Sequence, residues 1–243
     1  MEPTEQPSRP ALSTYEDLAS RAGSELLDTV LSEEHVHDAA QRARSLGLGF
    51  VTIRPCDVAL VSKWLQGGPT RVSSAVSFPS GDDTTAVKVF AVRDLLQRGA
   101  TGIETVLNIG KIVSRQFQYV ELELLQMTQE CHRAGATFTV ILEMPYLAPD
   151  HRVIACRIAR RVEADFIRAQ SSRHGSTCDP ADLAFLFARA GDAMLDAGPV
   201  ETLEQAFAAF DAGADRVLPR DPAAIMAQWR EELKRRETAP QGV

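Results

Sequence analysis

The sequence predicts an α/β fold, a (β/α)8 TIM barrel, in one domain covering residues 12–236. Three observations point there. From about residue 30 onward, short apolar runs alternate with longer amphipathic stretches, the order expected of repeated strand–helix units around a parallel sheet. Three of the amphipathic stretches run into Arg-Gly-Ala (98–100), Arg-Ala-Gly-Ala (133–136) or Asp-Ala-Gly-Ala (211–214), where glycine can take the left-handed position that ends a helix. The length, 243 residues, is what one such barrel fills, with enough chain to bury a core without disulfides.

The elements follow in order. Residues 48–53 read as a strand that stops at Arg54-Pro55, and 71–78 as one closed by Pro79, because proline removes a ladder donor. Residues 102–107, 138–143, 164–168, 192–195 and 215–218 bring the candidates to seven, and a first strand or helix is expected within 12–31. The helix expected over 84–98 places Val87, Phe90, Ala91 and Leu95 on its buried face, with Thr85 as cap; the one over 117–134 places Val120, Leu124, Met127 and Cys131 there. Asp221-Pro222 reads as a cap and the opening proline of the last helix. No Gly-x-Gly-x-x-Gly follows any strand, so a dinucleotide-binding sheet has no support. Barrel chemistry sits at the C-terminal strand ends, here Thr52, Arg54, Phe78, Glu104, Asn108, Glu143, Arg168, Leu195, Gly198 and the turn after Leu218.

Residues 1–11 are polar and proline-rich and read as a flexible tail, as do 237–243. They carry neither the basic nor the apolar region of a secretory signal, and no apolar run approaches the roughly 20 residues of a membrane span. A cytoplasmic protein with no membrane partner is expected. A net charge of −7 without a basic, aromatic-interleaved stretch argues against nucleic acid. Cys56, Cys131, Cys156 and Cys178 are widely spaced and read as reduced thiols; no metal site and no cofactor is signalled. Lysine chemistry is confined to Lys63, Lys88, Lys111 and Lys234.

Taken in order and at their spacing, several motifs between about Leu31 and Ala224 resemble the deoxyribose-phosphate aldolases. They are Ser32-Glu-Glu-His-Val36, Ile53-Arg-Pro55, Val76-Ser-Phe-Pro-Ser-Gly81 with Thr84-Thr-Ala-Val-Lys88, and Ile103-Glu-Thr-Val-Leu-Asn-Ile-Gly110. Val140-Ile-Leu-Glu143, Ala164-Asp-Phe-Ile167, Thr202-Leu-Glu-Gln-Ala206 and Ala212-Gly-Ala-Asp-Arg216 continue the pattern. The resemblance implies an aldolase barrel acting on a small carbonyl compound. It also implies an imine-forming lysine on the sixth strand, assisted by an aspartate on the fourth and a second lysine on the seventh. Here those positions fall on Arg168, Glu104 and Leu195. Arginine keeps its proton and its delocalised nitrogens cannot form the imine, so the ordinary route is closed at this site. The family's phosphate-holding turns correspond to Gly198-Pro-Val-Glu201 and Leu218-Pro-Arg-Asp-Pro222, where prolines delete N–H donors and Glu201 and Asp221 repel anions. A phosphorylated substrate is therefore not implied.

Two readings remain. In the first, the chain is an aldolase-like lyase whose site serves an altered mechanism: Glu104 as acid or base, Arg168 as electrostatic stabiliser, Glu143 orienting polar groups, and Thr52, Asn108, Lys111, Arg173 and Arg220 binding a small-molecule carbonyl substrate. In the second it is a non-catalytic binding or regulatory homologue, and Glu104 with Arg168 is a buried ion pair. Lys88 and Lys111 are sites to which an imine could have moved; His174 and Cys178, in the loop after the sixth strand, are a base and a thiol that read more simply as loop residues. A homodimer is one option for the assembly.

Overall fold

The structure, a computed structural model, describes residues 12–175 and 177–238; the tail residues 1–11 and 239–243 lie outside the described residues. Eight parallel strands form the barrel: β1 (Gly23–Leu26), β2 (Phe50–Ile53), β3 (Arg71–Val76), β4 (Gly102–Val106), β5 (Thr137–Ile141), β6 (Phe166–Arg168), β7 (Met194–Val200) and β8 (Arg216–Pro219). Each pairs with its sequence neighbour, and the Val217 N–H donating to the Arg21 carbonyl at 2.8 Å joins the last strand to the first. The helices α1 (Tyr15–Ala19), α2 (Glu33–Leu46), α3 (Val58–Leu65), α4 (Thr85–Gln97), α5 (Ile109–Val113), α6 (Phe117–Arg133), α7 (Pro149–Arg161), α8 (Pro180–Phe187), α9 (Leu203–Asp211) and α10 (Pro222–Thr238) surround it. Trp229 of α10 donates its indole N–H to the Thr14 carbonyl at 2.9 Å, tying α1 to the last helix.

Strand alternation sorts the side chains. Val51, Ile53, Ile103, Phe138, Val140, Ile167, Leu195 and Val217 face outward into the apolar layer shared with the helices. The residues between them point down the barrel axis, and many are polar or charged. The glycine joints behave as expected: Gly99, Gly135 and Gly213 have φ of 103°, 69° and 106°, and a Cβ on Gly213 would come 2.3 Å from the Phe187 ring.

The first unit, expected as a strand or helix within 12–31, contains both, α1 followed by β1. Two expectations need correction. The seventh strand begins at Met194 and continues through Pro199 to Val200 rather than ending at Leu195, pairing with β8 on both sides of the Gly198-Pro199 step. On α4, where Thr84 rather than Thr85 holds the N-cap position and makes no side-chain cap bond, the buried face is Lys88, Val89, Val92 and Leu95, while Val87 and Phe90 are 53% and 72% exposed. The helix is turned this way because Lys88 is satisfied inside: its Nζ donates to Glu123 Oε1 of α6 and to the Gly81 carbonyl, both at 2.7 Å. Residues Val120, Leu124, Met127 and Cys131 of α6 are buried as expected.

Candidate active site

The axis of the barrel is occupied by a connected set of charges. Arg168, last residue of β6 and fully buried, sits in register with Asp196 of β7. Its Nη2 and Nε donate to Asp196 Oδ2 at 2.5 and 3.1 Å, and its Nη2 donates to Glu104 Oε1 at 3.2 Å. Its Nη1 lies 3.0 Å from Glu104 Oε2 and 3.7 Å from Glu25 Oε2 of β1. From the other end of the barrel, Arg216 reaches up to donate to Asp196 Oδ2 at 2.8 Å and to Thr139 Oγ1 at 3.1 Å. Thr52 Oγ1 donates to Glu104 Oε1 at 2.8 Å. Glu25, Glu104 and Asp196 thus surround the Arg168 guanidinium, and Glu104 and Asp196 are shared with Arg216.

This neighbourhood decides the protonation states. Burial pushes the Asp196 carboxyl up, but Arg168 and Arg216 beside it outweigh that and hold it below its usual value. Burial likewise works against the Arg168 charge, and the three carboxylates overcome it, so the guanidinium holds its proton more tightly than usual. Glu25 goes the other way: burial raises its carboxyl above the usual glutamate value despite the opposing pull of Arg168 and a hydrogen bond from Ser172 Oγ.

Above the network, at the C-terminal mouth where barrel chemistry is found, a cleft of about 450 Å3 opens. Glu25 and Ser172 form its polar floor, Phe78, Pro199 and Leu218 supply apolar wall, and Arg173 and Arg220 stand at the rim. Among the described residues that line it there is no lysine. The loop carrying Ser172 is held from beneath by Glu143, a buried residue with a left-handed φ of 51°, whose Oε2 accepts from the Ser171 N–H at 3.3 Å.

The structure therefore brings Glu104, Arg168 and Thr52 into one hydrogen-bonded group, places Glu143 under the cleft loop, and sets Arg173 and Arg220 on the cleft. Arg220 is paired there with Glu201 at 3.0 Å. Asn108 and Lys111 are not brought to the cleft: the Asn108 side chain caps α5 by accepting from the Lys111 N–H at 3.1 Å, and the Lys111 amine turns to Gln116 Oε1 and the Tyr119 ring. Lys88 is sealed outside the barrel, between α4 and α6. Leu195 packs outward, so the β7 residue that faces the axis is Asp196. Cys178 is buried, which pushes its thiol up to about 12 and makes it a poor nucleophile; the His174 side chain lies outside the described residues. Asp221 does cap α10, accepting from the Ala224 N–H at 3.1 Å. Among the described residues no cluster of three or more His, Cys, Asp or Glu side chains is arranged to hold a metal, and no helix is long and apolar enough to cross a membrane.

Sequence reasoning missed Glu25, Asp196 and Arg216. A signal existed for Asp196, because extending the seventh strand past Leu195 puts it on the inward parity.

No family model matches the chain. Curated relatives do. The deoxyribose-phosphate aldolase of Bacteroides thetaiotaomicron is 29% identical over 223 residues, which is 91% of this chain and 94% of the relative. That of Treponema denticola is 29% identical over 203 residues, 83% of this chain and 94% of the relative. Over most of its length the chain is similar to deoxyribose-phosphate aldolases. Its fold agrees: the deoxyribose-phosphate aldolase of Aeropyrum pernix, described as a tetramer, superposes with a TM-score of 0.83 over 91% of this chain and 94% of that one, at 24% identity. Within the deoxyribose-phosphate aldolase pattern, the position that the resemblance assigns to the imine lysine is the Arg168 at the centre of the ion network.

Proposed function

We propose that this chain is an aldolase-family lyase acting on a small carbonyl or sugar-derived substrate by an imine-independent route. The observation that carries the proposal is the replacement of amine by charge network: the barrel mouth offers a carboxyl, Glu25, backed by the Arg168 guanidinium, with no lysine on the cleft. Cleaving a β-hydroxy carbonyl requires a base to take the hydroxyl proton and a sink for the electron pair released as the carbon–carbon bond breaks. An imine supplies that sink covalently. Without one, the electrons go to the carbonyl oxygen as an enolate, and cationic or hydrogen-bonding groups must stabilise it. We assign that task to Arg173, which lines the cleft.

Glu25 is the group suited to exchange the proton, since its carboxyl is raised above the usual glutamate value and it lines the cleft. Glu104 and Arg168, sealed beneath, act through Glu25 by setting its field, and Glu143 positions the Ser171–Ser172 backbone. The retained polar floor at the mouth favours this reading over a barrel that has lost its chemistry.

The complete burial of Arg168, Glu104 and Asp196 favours a second reading, a binding homologue whose network is structural. Proton NMR on the protein mixed with unphosphorylated and phosphorylated aldehydes separates the two. Turnover that Glu25→Gln abolishes supports the enzyme; saturable binding without turnover supports the homologue. Cleavage of deoxyribose 5-phosphate within the ordinary enzyme range of about 1 to 1000 per second, insensitive to Glu25→Gln, would overturn the imine-independent route.

A further inference from the structure

The N-terminal mouth of the barrel, opposite the cleft, holds a separate cavity of about 160 Å3. A single water needs only about 10–15 Å3 of such space. The N-terminal face of such barrels is ordinarily structural, yet this cavity gathers three arginines, Arg21, Arg71 and Arg216, with the hydroxyls of Ser73, Thr101 and Thr137. Asp215 is the carboxylate on the lining, and its Oδ2 accepts from the Leu195 N–H at 2.7 Å.

Arg216 is 9% exposed, and its guanidinium carbon lies 4.2 Å from the Phe50 ring centre and 3.6 Å from that of Phe166. The two rings fix its plane. Nη2 is committed upward to Asp196 and Thr139, but Nε, although buried, has no hydrogen-bond partner among the described residues. A buried charged N–H without an acceptor is costly, and such groups are nearly always met by protein, water or ligand. Neither Arg21 nor Arg71 is in an ion pair among the described residues, and Arg71 is exposed. Ser73 Oγ and Thr137 Oγ1 flank Gly102, where a Cβ would come within 2.4 and 3.0 Å of them, so the glycine keeps the floor open between two hydroxyls.

We propose that this cavity binds a phosphate oxyanion, either inorganic phosphate or the phosphate end of a phosphomonoester. Guanidinium groups meet phosphate oxygens through paired, charge-assisted hydrogen bonds, and hydroxyls complete such a shell. The site is spatially distinct from the cleft, since its ligand groups lie at the other end of the barrel from Arg173 and Arg220, although Arg216 also pairs with Asp196 of the axial network.

Isothermal titration calorimetry at low ionic strength, with inorganic phosphate in one arm and glycerol phosphate in the other, tests this. The expected result is one saturable site, weakened about tenfold by Arg71→Met, the equivalent of one charge-assisted hydrogen bond, and unchanged in an Arg173→Met, Arg220→Met double variant. Tighter binding of inorganic phosphate identifies the free ion as the ligand, and tighter binding of glycerol phosphate a monoester. The proposal is overturned if neither probe gives saturable heat, if Arg71→Met binds as the native protein does, or if binding disappears with the cleft arginines.

Discussion

Replacing Arg168 with methionine keeps most of the side-chain length and removes the charge that holds the barrel axis together. In the native protein this guanidinium faces Asp196 at 2.5 Å, Glu104 at 3.0 Å and Glu25 at 3.7 Å, all inside the barrel. Without it, Asp196 and Glu104 keep one cation, Arg216, at 2.8 and 3.8 Å, and Glu25 loses the cation beside it. Stranding a buried charge by deleting its partner costs about 3–5 kcal/mol. For a domain of this size each kcal/mol shifts the midpoint by about 2–4 °C, so Arg168→Met should melt roughly 6–20 °C lower. Urea denaturation at neutral pH, with thermal melts alongside, measures both quantities. The deficit should shrink on acidification, as the stranded carboxylates take up protons, and Asp196→Asn in the same chain should recover part of it. A loss below about 1 kcal/mol at neutral pH would show that the three carboxylates do not depend on Arg168, and the charge-network account would fail.

Other outcomes follow from individual groups. Glu25 has a raised carboxyl, so the native state holds this proton more tightly than the unfolded chain does; stability should fall as pH rises from the usual glutamate value, about 4.3, to the folded one, and then level off. Glu25→Gln should remove that slope and raise stability at neutral pH while abolishing turnover; a destabilised variant would refute the reading of Glu25 as a functional group whose burial outweighs the help of Arg168 and Ser172. Thiol titration of the native protein should modify Cys56, which is exposed, and leave Cys131, Cys156 and Cys178 untouched, because burial pushes their thiols up to about 12, 11 and 12; rapid reaction at Cys178 would contradict the packing around it. At the cleft, sulfate in a crystal should not sit on the backbone of residues 197–200, where Pro199 supplies no N–H; density for an anion there would revive a phosphate-holding turn.

Much of the architecture was legible because it rests on local patterns. Apolar runs ended by Pro55 and Pro79, and glycine joints at 99, 135 and 213, mark strand and helix ends from neighbouring residues alone. The pairing of Glu104 with Arg168 could be read from the same source, since strand parity turns both toward the axis. Glu25 escaped because β1 has four residues and too little alternation to announce itself. Asp196 escaped because Gly198-Pro199 reads locally as the end of a strand, whereas the barrel carries β7 through it. The misplaced face of α4 has a tertiary cause: Lys88 is buried only because Glu123, thirty-five positions away, meets it, and no local window contains that pair. The cation at the barrel floor, Arg216, was visible only as part of a helix-to-strand joint, its aromatic partners Phe50 and Phe166 being distant in the chain.

That no lysine of this aldolase-like barrel forms an imine is tested most directly by borohydride trapping. The protein is incubated with a panel of small aldehydes, with and without a phosphate group, reduced, and mapped by peptide mass spectrometry. The network at Arg168, the sealed Lys88 and the outward-turned Lys111 predict no substrate-dependent adduct on any of the four lysines, whatever the turnover. A stoichiometric adduct on Lys88 or Lys111 that appears only with aldehyde would contradict the account and return the imine mechanism to a relocated amine.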